Sequence, residues 1–267
     1  MIHAQNGCLQ LTTGKLDYVR FGAGKGTLVL IPGAGDGLRT VKGLAVPFAL
    51  LYRDLAKDFT VFVFSRRREL PQHVSTREMA RDLAESMDML QLSQAAVVGI
   101  SQGGMIAQWL AVDFPEKLSR LVLAVTAGRP NDTLLDVTGL WMEMARNGDY
   151  RRIMLDTAER SYSPKRLWQA RLSCRLMGNW GKPKSFDRFL TQIESCAGHD
   201  AYDRLPEIAC PTLVVGGVAD RIVTAEASRE LAARIPDSRL WLLEGLGHGL
   251  YEEEPSFFRQ VAEFCRG

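Results

Sequence analysis

A serine between two glycines, in Gly99-Ile100-Ser101-Gln102-Gly103, stands where a short apolar run gives way to a helical pattern. Residues 95–100 are small and valine-rich, whereas Met105, Ile106, Trp109 and Leu110 recur at helical spacing. A strand that turns sharply into a helix pushes the hydroxyl of its corner serine into the open, and flanking glycines let neighbouring backbone come close. A serine hydroxyl alone is a weak nucleophile. It needs a base to take its proton and an acid to hold that base in one tautomer.

Both partners follow in chain order. Asp220 comes after the apolar run Pro211-Thr212-Leu213-Val214-Val215, and His248 sits in Gly247-His248-Gly249, just beyond residues 239–243. Each lies past the carboxyl end of an expected strand, the edge where open α/β sheets build their sites. Taken singly, Asp220 is also placed to pair with Arg221 or to cap a helix starting near Thr224, and His248 to be an ordinary loop histidine. Their joint order and placement favour a Ser101, His248, Asp220 triad, whose chemistry is acyl transfer.

These stretches resemble the α/β-hydrolase family, and the resemblance runs nearly end to end. It covers Leu28-Val29-Leu30-Ile31-Pro32-Gly33, the Ser101 turn with Gly103-Gly104, Phe114-Pro115-Glu116-Lys117-Leu118, the run from Pro211 to Gly216 with Asp220, and Gly247-His248. It implies Ser101 as nucleophile, Asp220 as orienting acid and His248 as general base. The backbone N–H of Gln102, after the nucleophile, is one expected oxyanion donor. The second is assigned to the N–H of Ala34, by analogy with the residue after the family's usual His-Gly. That histidine is Pro32 here, which removes a side-chain contact and leaves the donor at Ala34 in place.

A second departure lies at residues 64–70, where many relatives carry an aspartate, an arginine and a glycine-rich turn. Arg66, Arg67 and Arg68 are consecutive here and read as a solvated loop, so the substrate entrance near them is expected to be atypical. The pattern Ser101-Gln102-Gly103-Gly104 is similar to small-molecule carboxylesterases, enol-lactonases and carbon–carbon bond hydrolases. A serine nucleophile argues against haloalkane dehalogenases and most epoxide hydrolases, which use an aspartate. The leading expectation is hydrolysis of a small carboxylic ester or lactone through an acyl-enzyme, with no cofactor and no metal. Carbon–carbon bond hydrolysis, cofactor-free perhydrolase chemistry and a weakly catalytic ligand-binding protein are the alternatives.

The elements that must position these residues alternate as strand and helix, which predicts an α/β fold with a mostly parallel central sheet and helices on both faces. A hairpin over residues 9–12 and 16–21 comes first, then strands at 28–31, 60–64, 95–100 and 121–125. One helix is expected to run up to about residue 57. Another opens at a capping box, Ser75 with Glu78, and carries Met79, Leu83, Met87 and Leu90 as its stripe. Strands resume at 212, followed by a helix over 224–234, a strand over 239–243 and a closing helix after Pro255. The first half of the core is read as 1–127, a helical cap insertion as 128–205 and the second half as 206–267. Within the cap, Trp141, Trp168 and Trp180, with Met142, Met144 and Met177, are expected to line an apolar pocket, and one of the cap arginines is available to clamp a carboxylate. His3, His73 and His199 are given surface or loop roles.

Composition narrows the classes. The 267 residues carry 33 Lys+Arg against 31 Asp+Glu, a net charge of only +2, with no nucleic-acid motif, so no nucleic-acid partner is expected. The five cysteines are scattered without metal-ligand spacing and read as reduced thiols. The start of the chain lacks a signal pattern and no apolar run approaches the roughly 20 residues of a membrane span. A cytoplasmic enzyme with a small-molecule substrate and no membrane partner is the expectation. The apolar stretch 44–51 is either a buried helix or a homodimer surface.

Overall fold

The strands form because short valine- and leucine-rich runs can bury both of their faces, the pattern of a parallel sheet covered by helices. The computed structural model describes residues 3–267, the side chain of Met177 excepted. Eight strands make one sheet in the order β1-β2-β4-β3-β5-β6-β7-β8. The strands β1 (Gln5–Leu11) and β2 (Gly14–Phe21) form an antiparallel hairpin, and β2 pairs antiparallel with β4 (Phe59–Arg67). From there every pairing is parallel, through β3 (Gly26–Ile31), β5 (Ala95–Ile100), β6 (Leu118–Ala124), β7 (Thr212–Gly217) and β8 (Ser238–Leu243).

Alternation along each strand sorts the core into two layers. Val29, Ile31, Val97, Leu121 and Val214 face the helices α2 (Thr76–Met89), α3 (Gln102–Asp113) and α8 (Thr224–Arg234), meeting Met79, Leu83, Ile106, Leu110 and Leu231. Leu28, Leu30, Val98, Val122 and Val215 face the opposite way, against Ala45 and Ala49 of α1 (Ala45–Leu51) and Phe257 and Val261 of α10 (Phe257–Arg266). The capping box of α2 is present: the Glu78 N–H donates to Ser75 Oγ at 3.1 Å and the Ser75 N–H to Glu78 Oε2 at 2.9 Å.

Four helices come between β6 and β7: α4 (Asp132–Arg146), α5 (Tyr150–Ser161), α6 (Pro164–Met177) and α7 (Asp187–Ala197). Leu134, Val137, Trp141, Ile153, Phe189 and Ile193 pack α4, α5 and α7 together and onto Met105 of α3 and Ile222 and Val223 of the loop after β7. The short α9 (Leu250–Glu253) follows the histidine loop.

The structure departs from three expectations. The helix foreseen up to residue 57 is broken into a 3-10 turn at Ala34–Gly37, α1, and a second 3-10 turn at Leu55–Lys57, because glycines interrupt it and Gly43 adopts φ +80°. The helix α1 buries Ala45 and Ala49 while exposing Val46, Leu50 and Leu51. The arginine run is not a solvated loop. Strand β4 continues through Arg66 and Arg67, which are buried, and only Arg68 is exposed. Partners distant in sequence explain this: Arg67 Nε pairs with Asp82 Oδ2 at 2.6 Å, and Arg66 reaches Pro32 and Gln102. His199 is buried as well, with Nδ1 2.8 Å from Thr76 Oγ1 and Nε2 3.2 Å from Gln108 Oε1. No helix of the described residues is long and apolar enough to cross a membrane.

Candidate active site

Ser101 sits at the junction of β5 and α3 with φ 55° and ψ −121°, a left-handed backbone that a non-glycine residue adopts at a strain of roughly 1–3 kcal/mol. Its neighbours hold it there. The Ser101 N–H donates to Ala124 O at 2.9 Å, and the Gly104 N–H donates to Ser101 O at 2.8 Å. The turn needs Gly103 in particular, because a Cβ on that residue would lie 2.0 Å from Ile31 O, which is backbone and cannot swing aside.

Asp220 follows β7 and His248 follows β8, so the sheet brings both to the edge where Ser101 stands. His248 Nε2 is 2.9 Å from Ser101 Oγ, and His248 Nδ1 is 2.8 Å from Asp220 Oδ2. The other carboxylate oxygen, Oδ1, accepts the N–H groups of Ile222 at 2.8 Å and Val223 at 3.1 Å. Asp220 therefore makes no pair with Arg221, which reaches Glu159 O of α5 instead. Burial on its own would raise the Asp220 carboxyl. The electrostatic attraction and hydrogen bond of the His248 imidazole and the two backbone N–H groups outweigh burial and hold it below the usual carboxylate range. An anionic Asp220 fixes the Nδ1–H tautomer, which leaves Nε2 as the acceptor facing the Ser101 hydroxyl.

Gly33 and Ala34 lie beside Ser101. A Cβ on Gly33 would be 3.3 Å from Ser101 Cβ, and both residues share a cavity wall with Ser101 and His248. Ala34 opens the 3-10 turn and Gln102 opens α3, positions whose N–H groups have no acceptor within their own helix.

The cavity above Ser101 has a volume of about 760 Å³ and lies between the sheet edge and the helices α4 to α6. Trp141 and Trp180 line it. Trp168 does not: it is 60% exposed on the outer side of α6. Met142 and Met144 belong to the packing among the cap helices, and the side chain of Met177 lies outside the described residues. Trp141 turns its indole N–H to Asp156 Oδ2 at 2.7 Å, presenting only its apolar face. Of the cap arginines, Arg151 and Arg166 reach the cavity, and Arg166 Nη2 is paired with Glu252 Oε2 at 2.8 Å. The sequence reading did not single out Tyr162, Tyr251 or Glu252, which close the side near His248. Their signal was position alone, just after Gly249 and at the end of α5.

The family model for the alpha/beta hydrolase fold matches residues 26–255. Over 189 residues, 70% of this chain and 68% of the relative, the sequence is 26% identical to 3-oxoadipate enol-lactonase 2 of Acinetobacter baylyi. It is 28% identical over 270 residues, 94% of this chain and 92% of the relative, to 2-hydroxy-6-oxononadienedioate/2-hydroxy-6-oxononatrienedioate hydrolase 2 of Pseudomonas putida. Among solved structures, an alpha/beta hydrolase enzyme from a Medee basin deep-sea metagenome library superposes with a TM-score of 0.86 at 20% identity, covering 98% of each chain. The chain belongs to the alpha/beta hydrolase fold family.

Proposed function

We propose that this protein is a serine hydrolase that cleaves a small carboxylic ester or lactone through an acyl-enzyme. One observation carries the reading: the His248 imidazole bridges Ser101 Oγ at 2.9 Å and Asp220 Oδ2 at 2.8 Å on the floor of a cavity. In this mechanism Nε2 of His248 takes the Ser101 proton as Oγ attacks the substrate carbonyl, and Asp220 balances the imidazolium that forms. The N–H groups of Gln102 and Ala34 receive the negative oxygen. The imidazolium then protonates the leaving alcohol, and a water deprotonated by the same histidine releases the acid.

The apolar wall of Trp141, Ile153 and Phe189 suits a hydrocarbon acyl or alcohol part of modest size. A second reading, carbon–carbon bond hydrolysis by the same three residues, is favoured by the relative from Pseudomonas putida, which matches along nearly the whole chain. Both readings are tested on purified protein with a panel of p-nitrophenyl esters, lactones and vinylogous diketones. Turnover of esters or lactones that Ser101→Ala abolishes supports the first reading, cleavage of diketones alone supports the second, and full activity in Ser101→Ala contradicts both.

A further inference from the structure

Behind the candidate site Arg66 of β4 makes contacts that the catalytic scheme leaves unused. Arg66 is 4% exposed, and its Nη2 donates both to Pro32 O at 2.5 Å and to Gln102 Oε1 at 2.8 Å. These two acceptors belong to the two segments that carry the Ala34 and Gln102 N–H groups. The Arg66 backbone N–H donates to Asp36 Oδ2 at 3.1 Å, and the same oxygen accepts Arg188 Nη2 at 2.5 Å and Gln192 Nε2 at 3.2 Å from α7. Gln102 Nε2 completes the connection by donating to Gln192 O at 2.7 Å and Ser195 Oγ at 2.9 Å.

We propose that Arg66 is a positioning residue for the oxyanion hole, its guanidinium tying the Pro32–Ala34 segment to the Gln102 side chain and so fixing the spacing of the two N–H donors. The inference rests on the hydrolase reading above. Oxyanion donors act through preorganisation, held where charge will develop before it does. The Gly33-Ala34-Gly35 stretch closes only a short 3-10 turn, so its placement relative to α3 depends on contacts from outside it. Pro32 has no N–H, so its carbonyl is the one backbone polar group by which that position can be gripped, and Arg66 grips it. Burial lowers the Arg66 pKa to about 10, partly opposed by Asp36, which still leaves the guanidinium charged at neutral pH and its hydrogen bonds charge-assisted. A lysine at this position would keep a charge and several donors. A methionine would keep the stem and lose both.

The test compares wild type, Arg66→Met, Arg66→Lys and Gln102→Met, the last cutting the Arg66 contact from its other end while keeping the Gln102 N–H. Each is assayed for kcat and KM on p-nitrophenyl butyrate, for affinity toward phenylboronic acid, which forms a tetrahedral adduct, and for thermal unfolding. Arg66→Met and Gln102→Met are expected to lower kcat by roughly 10- to 100-fold, with KM within about twofold and boronate affinity falling in step with kcat. Arg66→Lys is expected to recover a large part of both. A folded Arg66→Met with undiminished kcat overturns the inference, as does a drop in stability without a parallel drop in boronate affinity. If Arg66→Met does not fold, Gln102→Met decides, and wild-type kcat there overturns the inference. A wild type without turnover or boronate binding overturns the hydrolase reading and this inference together, whereas an active wild type with indifferent variants overturns this inference alone.

Discussion

The hydroxyl of Ser101, the imidazole of His248 and the carboxylate of Asp220 come from turns after three different strands, yet hydrogen bonds of 2.9 and 2.8 Å join them. On the proposed mechanism Ser101→Ala lowers kcat/KM for an activated ester by roughly 10⁴-fold or more, while circular dichroism and unfolding temperature stay close to wild type. Asp220→Asn is expected to lower kcat by about 10⁴-fold, because an amide at this position lets His248 adopt the tautomer that offers Ser101 a proton instead of accepting one. Rate measurements at saturating ester check this, and a loss smaller than tenfold would mean that Asp220 serves only the Ile222 and Val223 N–H groups. These three residues were legible in the sequence because each carries its own local mark, a strand end beside glycines. Arg66 carries none. Nothing in a run of arginines shows that Asp36, Pro32 and Gln102 will surround Arg66, or that Asp82 will pair with Arg67, so charge pattern alone assigned both to water.

The turn between β5 and α3 is the element on which the placement of Ser101 depends. Gly103→Ala puts a methyl group 2.0 Å from Ile31 O, forcing β3 and α3 apart, and is expected to destabilise the protein by about 1–3 kcal/mol and to impair turnover together with stability. Chemical denaturation followed alongside activity measures both, and a variant as stable and active as wild type would contradict this account of the turn. The strands that bury both faces, β3, β5 and β7, were readable as apolar runs, and the helix foreseen over residues 224–234 is α8 at those bounds. Elements whose placement depends on tertiary context were not. The stretch before residue 57 broke where glycines and buried polar partners intervened. Trp141 of α4 and Trp180 of the turn after α6 line the cavity while Trp168 faces outward, a matter of how the helices are rotated and where the turn lies, which residue type does not encode.

Across the whole molecule, the cap helices are fastened to the sheet layer by polar contacts around the site. Arg188 of α7 holds Asp36, Ser161 O at the end of α5 accepts the Gly249 N–H at 2.9 Å, and Ser163 Oγ donates to Glu253 Oε2 at 2.5 Å. His199, just after α7, joins this set from below, bonded to Thr76 of α2 and Gln108 of α3. Burial pushes its pKa down to about 3 from the ordinary histidine value of 6.5. The unfolded chain therefore binds a proton at this residue before the folded one does, so its contribution to stability is complete above pH 6.5 and is lost progressively as pH falls toward 3. The slope reaches about 1.4 kcal/mol per pH unit for this single proton. Unfolding free energies of wild type and His199→Gln between pH 7.5 and 4.5 should show a shallower acid decline in the variant, and identical slopes would remove His199 as the cause.

The central claim is that Ser101 becomes acylated during turnover. Rapid acid quench of the protein with p-nitrophenyl acetate, followed by peptide mass analysis, reads this directly. An acetyl group is expected on the peptide containing Ser101, absent when Ser101→Ala is treated in the same way. Turnover that proceeds with no acyl adduct, or with an adduct on another residue while Ser101→Ala stays active, would contradict it.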